Sequence, residues 1–367
     1  MSSVAAPDIE RAFETSHAMF AMFVFVGPGI VALVIEPLIF LAADRYPRAW
    51  FIRGGLTAMS LASFASGLAP GPFALAAATS VLWLAIGASS SLAQATLMDR
   101  DPDNRAKTLA RWTLLGLIGD LCAPAILAVM AIAGLTWREG YMSVGALVGV
   151  WAIVAWLTPI DTPRETEESE EPTRGLLATL RDVLRDRTLV VWLFGLALCD
   201  LLDEILVVFA TIHVRDGLGG GQLWQSAIVA TLIASGAIGL VVLERLLKKH
   251  DESRLLVAFS AACAVAVGAW IAAPNLVASL VLVIPVGATA TVLYPLVASR
   301  VFAQRPEESG AVLAASHLFT PLGLALPFLI GALADHAGTY AALAVLVAQP
   351  VGLIVLVKVT AARKLDD

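Results

Sequence analysis

Long unbroken apolar runs constrain this chain more than any single motif. Eleven of them lie at about 17–43, 54–71, 73–97, 108–134, 140–159, 189–212, 223–243, 255–273, 276–299, 310–333 and 339–360. A helix that crosses the hydrocarbon core of a bilayer needs ~20 apolar residues, and each run is of that length or close to it. The runs are continuous rather than alternating, so they read as helices and not as barrel strands. Only 15% of the residues are charged and 59% are hydrophobic, with a mean hydropathy of +0.83. Soluble domains carry roughly 25% charge. So little polar surface cannot cover a water-soluble body of this size, and an all-α polytopic membrane protein is expected.

Composition also excludes partners. A pI of 5.4 without a basic stripe argues against nucleic acid. Cys122, Cys199 and Cys263 sit inside apolar runs and read as reduced packing residues. No residue spacing suggests a metal site, and no G-x-x-x-x-G-K-[ST] pattern occurs, so no cofactor is expected and an ATP-driven pump is disfavoured. The start of the chain carries Asp8, Glu10, Arg11 and Glu14, unlike the basic opening of a signal peptide.

Charge in the loops sets the topology. Cytoplasmic loops are enriched in Lys and Arg. Every second loop here is cationic, and these loops together hold 21 of the 24 Lys and Arg; the other side has only Arg11, Arg138 and Arg215. The C-terminus is therefore expected in the cytoplasm and, with eleven crossings, the N-terminus outside, most naturally in a bacterial inner membrane. The expected organisation is a polar segment 1–16, a five-helix bundle 17–159, a cytoplasmic linker 160–188, a six-helix bundle 189–360 and a tail 361–367. Within the linker, acids from Glu165 to Glu171 precede Leu176, Leu177, Leu180, Val183 and Leu184, whose helical spacing predicts an amphipathic helix on the cytoplasmic face.

The chain also repeats itself with an offset of 200 residues. Asp44-Arg45 and Arg48 fall on Glu244-Arg245 and Lys248, Gly87-Ala88-Ser89 on Gly287-Ala288-Thr289, and Arg100 on Arg300. Near the ends of the halves the register slips by about a residue, with Leu135–Tyr141 opposite Asp335–Tyr340. Two parallel halves of this kind are a transporter architecture. The run at 189–212 has no partner in the first half, so one helix is missing from the start of the pattern.

On these residues the chain resembles the major facilitator superfamily. That family joins two six-helix bundles by a cytoplasmic loop and carries a G-x-L-A-D-R-x-G-R-R signature after its second helix. Here Leu41-Ala-Ala-Asp44-Arg45-Tyr-Pro-Arg48 matches the Asp-Arg and the later Arg, while Phe40 and Pro47 replace both glycines, so a different turn is expected. Further family-like features are Gly116, Gly119 and Pro124 in one run, then Trp137-Arg138, and Gly331-x-x-x-Asp335-x-x-Gly338 near the end. The resemblance implies that run 17–43 is the family's second helix and that the family's first is absent. It implies that Asp44, Arg45 and Arg48, echoed by Glu244, Arg245 and Lys248, form a latch. The acid would touch the helix starting near Ser309-Gly310, and the contact would break as the carrier turns inward. It also implies that runs 73–97, 189–212 and 276–299 line the central cavity, which nominates Trp83, Gln94, Trp192 and Tyr294 for solute contacts.

Ionisable groups inside the membrane are costly and mark function by default. Glu36 lies eight residues before Asp44, two helical turns into the bilayer, where it would carry a proton or pair with a neighbouring cation. Asp120 sits midway along run 108–134, in the place of a G-x-x-x-G-P-x-x-G-G pattern of drug–proton antiporters, of which Gly119 and Pro124 remain. Asp200, Asp203 and Glu204 share one helix face at spacings of three and four. Such a cluster suits a proton or a cationic solute, since three carboxylates so close cannot all stay charged. His317 titrates near neutral pH when unperturbed. The function expected is a secondary active transporter, monomeric in the lipid bilayer, that moves a small solute by alternating access coupled to protons. It is not an enzyme. A non-transporting sensor or scaffold is the alternative, and a membrane-embedded enzyme is a weaker one for want of an H-E-x-x-H or similar constellation.

Overall fold

The computed structural model describes residues 9–15, 19–20, 22–160, 176–306, 308–322, 329–330, 333 and 336–366, without the side chains of 120–132, 176–177, 179, 200–205, 208, 339, 342 and 361–366. Every regular element among them is helical. In chain order these are α1 (Gly27–Ala43), α2 (Arg48–Gly67), α3 (Pro72–Ile86), α4 (Leu92–Arg100), α5 (Arg105–Ile132), α6 (Trp137–Leu157), α7 (Leu176–Arg185), α8 (Arg187–Ile212), α9 (Gln222–Leu246), α10 (Glu252–Ile271), α11 (Leu276–Ala290), α12 (Leu293–Gln304), α13 (Ser309–Ser316) and α14 (Thr339–Asp366). A π-helical turn, Gly87–Ser91, joins α3 to α4, and another, Met22–Val26, leads into α1.

Seven stretches among the described residues are long and apolar enough to cross a membrane: Met22–Ala43, Pro72–Arg100, Trp137–Leu157, Gln222–Leu246, Glu252–Ile271, Leu276–Gln304 and Leu343–Thr360. They account for seven of the eleven expected runs. Of the other four, 54–71 falls largely on α2, 108–134 on α5, and 189–212 on α8, whose apolar stretch Arg187–Cys199 is shorter. Run 310–333 begins as α13, and residues 323–328 within it lie outside the described residues. The expected amphipathic linker helix is present as α7, with Val183 fully buried; the acidic stretch before it is not described.

The outside of the protein is apolar, as a lipid solvent requires. Leu61, Phe73, Trp151, Leu157, Leu223 and Val265 are all exposed. Lipid tails are as apolar as leucine, so the helices are drawn together by close packing and hydrogen bonds, not by the hydrophobic effect. On α2, Ser60 Oγ donates to the Gly145 carbonyl of α6 at 2.7 Å. Four helix N-termini are capped by side chains, which satisfies amides the helix cannot. Asp186 accepts from Thr188 and Leu189 at the start of α8, Asp251 from Ser253 and Arg254 at α10, and Asn275 from Ala278 at α11. At α6 the Thr136 side chain accepts from the Arg138 amide, and the Glu139 carboxylate accepts the Thr136 N–H at 2.8 Å.

Contacts divide the chain into two compact units. The first comprises Met1–Arg100, Ile118–Val183 and Glu307–His317, and the second Asp101–Leu117, Leu184–Pro306 and Leu318–Asp367. Within the first, α2 packs on α6 and α1 on α3; within the second, α10 packs on α14 and α9 on α11. The offset of 200 residues that relates the sequence halves maps the first set of pairings onto the second.

Helices α9 and α11 approach so closely that a side-chain carbon on Gly239 would collide with the carbonyl of Ala288. Gly239→Val is expected to cost about 1–3 kcal/mol of stability, read as a lower thermal unfolding midpoint of the purified protein in detergent. An unchanged midpoint would contradict this helix contact.

Candidate functional site

The charged knot predicted from the sequence is a buried network in the first unit. α1 ends at Ala43, and the residues after it turn the chain into α2, whose first residue is Arg48. Pro47 supplies the extended backbone that starts α2, with φ −55° and ψ 116°. This turn returns the Arg48 side chain to the end of α1. Its Nη2 donates to Asp44 Oδ1 at 2.7 Å and to Ser309 Oγ at 2.7 Å, and its Nη1 to Asp99 Oδ2 at 2.5 Å. Ser309 Oγ donates in turn to Asp99 Oδ2 at 2.6 Å. The side chains of Arg48, Asp44 and Asp99 are only 7%, 10% and 11% exposed, so these are desolvated charges held by their partners.

Asp44 does a second thing. Its Oδ1 accepts the Gly310 N–H at 2.9 Å and its Oδ2 the Ala311 N–H at 2.7 Å. These are first-turn amides of α13, which have no partner inside that helix. Glu308, the residue preceding α13, makes no capping hydrogen bond with its own side chain. Asp44 therefore caps α13 from a position 266 residues earlier in the chain. Gly310 makes the approach feasible, because any side chain there would strike the Phe40 carbonyl and the Asp44 carboxylate. A carboxylate at a helix N-terminus contributes about 0.3–1 kcal/mol, up to ~2 when partly buried.

Two turns deeper, the same two helices meet again. His317 Nδ1 lies 3.1 Å from Glu36 Oε2, with the Glu36 side chain 8% and the His317 side chain 25% exposed. The Phe40 ring, one turn on from Glu36, lies 5.0 Å from the His317 ring. Gly87 opens the space for the carboxylate, since a side chain there would overlap Glu36.

The echo of the knot, in the second unit, is built differently. Glu244 accepts from Arg111 Nη2 at 2.5 Å. The Arg111 side chain is 59% exposed, so this is a solvated surface pair. Arg245 and Lys248 are exposed.

The remaining candidates fall on α3, α4, α5, α8 and α12. Asp120, Asp200, Asp203 and Glu204 lie on α5 and α8, but their side chains are outside the described residues. Trp83 on α3 is partly exposed and Gln94 on α4 is buried. In the second unit, Trp192 is buried with the Arg300 guanidinium 5.5 Å from its ring, and Tyr294 on α12 is half-buried. Sequence reasoning placed Asp44 near Ser309-Gly310 but missed the Ser309 hydroxyl and Asp99 as members of the network, and Arg111 as the partner of Glu244. The available signal for Asp99 was an acid beside Arg100 at the charged end of an apolar run; nothing local marks the Ser309 hydroxyl or Arg111.

Residues 1–326 match the model of the Major Facilitator Superfamily. The fold is similar to that of a single-residue variant of the E. coli fucose:proton symporter FucP, with a TM-score of 0.81, 12% sequence identity, and coverage of 97% of this chain and 93% of that one. A second FucP structure, in the outward conformation, matches with a TM-score of 0.79 at the same identity and coverage. No curated protein matches in sequence.

The two charged motifs should respond differently to truncation. Asp44→Ala removes one of the two carboxylates that hold Arg48 and takes the cap from two α13 amides, and it is expected to cost about 3–5 kcal/mol, the usual penalty for breaking a buried ion pair. Glu244→Ala removes a solvated pair and should leave the unfolding midpoint within experimental error. Comparable losses in the two variants, measured by thermal or denaturant unfolding, would contradict the assignment of one as buried and the other as exposed.

Proposed function

The chain belongs to the Major Facilitator Superfamily, and on that footing we propose that it carries a small solute across the membrane by alternating access, driven by protons. Membership supports reading it as an integral membrane transporter and not as an enzyme. The observation that carries the finer reading is the clamp on α13. A buried Arg48 bridges Asp44, Asp99 and Ser309 while Asp44 caps the helix, so α13 is held by groups that must all be released together. An arrangement with two discrete states, held or released, is what a carrier needs in order to switch access without leaking.

Proton coupling is supported by two features. One is the pair Glu36 and His317 buried two turns behind the clamp. The other is the fold likeness to a fucose:proton symporter, which makes sugars the first solutes to try. Asp120, Asp200, Asp203 and Glu204 remain candidates for coupling or solute binding, with Trp83, Gln94, Trp192 and Tyr294 as candidate cavity contacts. We place the protein in a bacterial inner membrane as a monomer, with bundles 17–159 and 189–360 joined by the cytoplasmic linker 160–188 and with the C-terminus in the cytoplasm.

Reconstitution into proteoliposomes tests the reading. A solute from a panel of neutral sugars, sugar acids and amines should accumulate when the outside is made acidic, and a protonophore should abolish the accumulation. Arg48→Ala should reduce the initial rate by roughly tenfold or more, equivalent to at least about 1.4 kcal/mol on the limiting step. If no member of the panel responds to the pH gradient, proton-driven transport of this solute class is refuted. A C-terminal reporter fusion that is active only outside the cytoplasm should stay silent.

A further inference from the structure

We propose that Glu36 and His317 bind one proton as a unit, and that this proton decides whether the 308–317 segment stays on α1. The inference deepens the proton-coupling reading above, but its test requires no solute.

The geometry is a two-rung ladder between α1 and the segment carrying α13. At the outer rung Asp44 binds the amides of Gly310 and Ala311. At the inner rung Glu36 meets His317 at 3.1 Å. Glu36 precedes Asp44 by eight residues and His317 follows Gly310 by seven, about two helical turns on each side. The segment is thus held at both ends by one helix. The outer rung is a fixed set of charges and amides. The inner rung is the one that can gain or lose a proton, because a carboxyl group and an imidazole face each other there.

The charge accounting gives the direction. With one shared proton the pair is neutral overall, either as imidazolium beside carboxylate or as imidazole beside carboxylic acid. When that proton leaves to water, only a carboxylate and a neutral imidazole remain, and the net charge is −1. Among the described residues, the helices packed on the pair supply no charge to balance it. α1 carries no charge besides Glu36; α3 and the Gly87–Ser91 turn carry none; α13 has none. The charged groups on or beside the packed elements are Asp44 and Arg45 after α1, Arg48 and Arg53 on α2, Asp99 and Arg100 at the end of α4, and Glu308 before α13. Arg48 is already committed to Asp44 and Asp99. An uncompensated buried charge is expensive unless water reaches it. Loss of the proton therefore favours release of the segment, which hydrates the carboxylate, and gain of the proton favours closure. The closed state binds more protons, so opening increases as pH rises.

Hydrogen–deuterium exchange of the purified protein in lipid nanodiscs tests this. Peptides covering 308–317 are followed across about pH 5 to 8, and rates are corrected for the intrinsic pH dependence of exchange. In the wild type, protection of this segment should fall roughly tenfold or more as pH rises, while the α10 peptide stays protected. Glu36→Gln, which keeps the shape but cannot lose a proton, should make protection of 308–317 independent of pH. His317→Gln leaves Glu36 to titrate alone and should move the midpoint by about one pH unit or more. Unchanged α10 protection shows that a variant is folded; if Glu36→Gln fails that control, the His317→Gln midpoint decides. A flat wild-type profile, or a pH dependence that survives both substitutions, overturns the proposal. Failure to find a transported solute leaves this result untouched, and transport that is proton-driven in vesicles yet insensitive to both substitutions would refute the pair alone.

Discussion

The arrangement around α13 depends on the buried guanidinium of Arg48. Its planar fork presents donors in two directions at fixed angles, and here it reaches three side-chain acceptors, from the end of α1, the end of α4 and the start of α13, and also the Ala43 carbonyl. A lysine ammonium could not satisfy all three with the same geometry. Each acceptor is itself tied down. Asp44 is held by two helix amides, and Asp99 by the Ser309 hydroxyl. Burying one cation between two anions is tolerable because nearly every lone pair has a donor; Asp99 Oδ1 is the exception, buried with no partner. Such a network is stable when complete and costly when half made, and a switching element profits from that contrast.

The two copies of the motif show how one sequence pattern takes on different physics. In register, Asp44 corresponds to Glu244 and Ala311 to Arg111. Ala311 lies in the first turn of α13, so its amide is free to accept a cap. Arg111 lies in the second turn of α5, which starts at Arg105, so its amide is already used by the helix. Only the Arg111 side chain can reach the acid there. The equivalence of position survives, but a buried cap in one unit becomes an exposed ion pair in the other. The segments involved follow the same logic, since 307–317 packs with the first unit and 101–117 with the second.

Much of this was legible from residue order. Apolar runs of bilayer length predicted the helices, and the cation-rich loops marked one face, because lipid accepts neither charge nor unpaired backbone. The offset of 200 residues identified Asp44–Arg48 and Glu244–Lys248 as related, and resemblance to a family placed Asp44 near Ser309–Gly310. Glu36 and His317 were each visible as ionisable groups in apolar surroundings. Their pairing was not, because 281 residues separate them and nothing local in either run refers to the other. Asp99 was hidden for a similar reason: an acid at a helix end reads as an ordinary surface charge until the fold brings Arg48 against it.

By itself the sequence determined that the protein is a helical membrane protein with two related halves, since hydrophobic length and charge bias act locally and add along the chain. Tertiary structure alone decided which charges are buried together. That Leu41–Arg48 clamps a helix from the far half of the sequence, and that a carboxylate and an imidazole meet two turns behind it, follows from helix packing. Packing brings together groups whose separation along the chain carries no information about their distance in space.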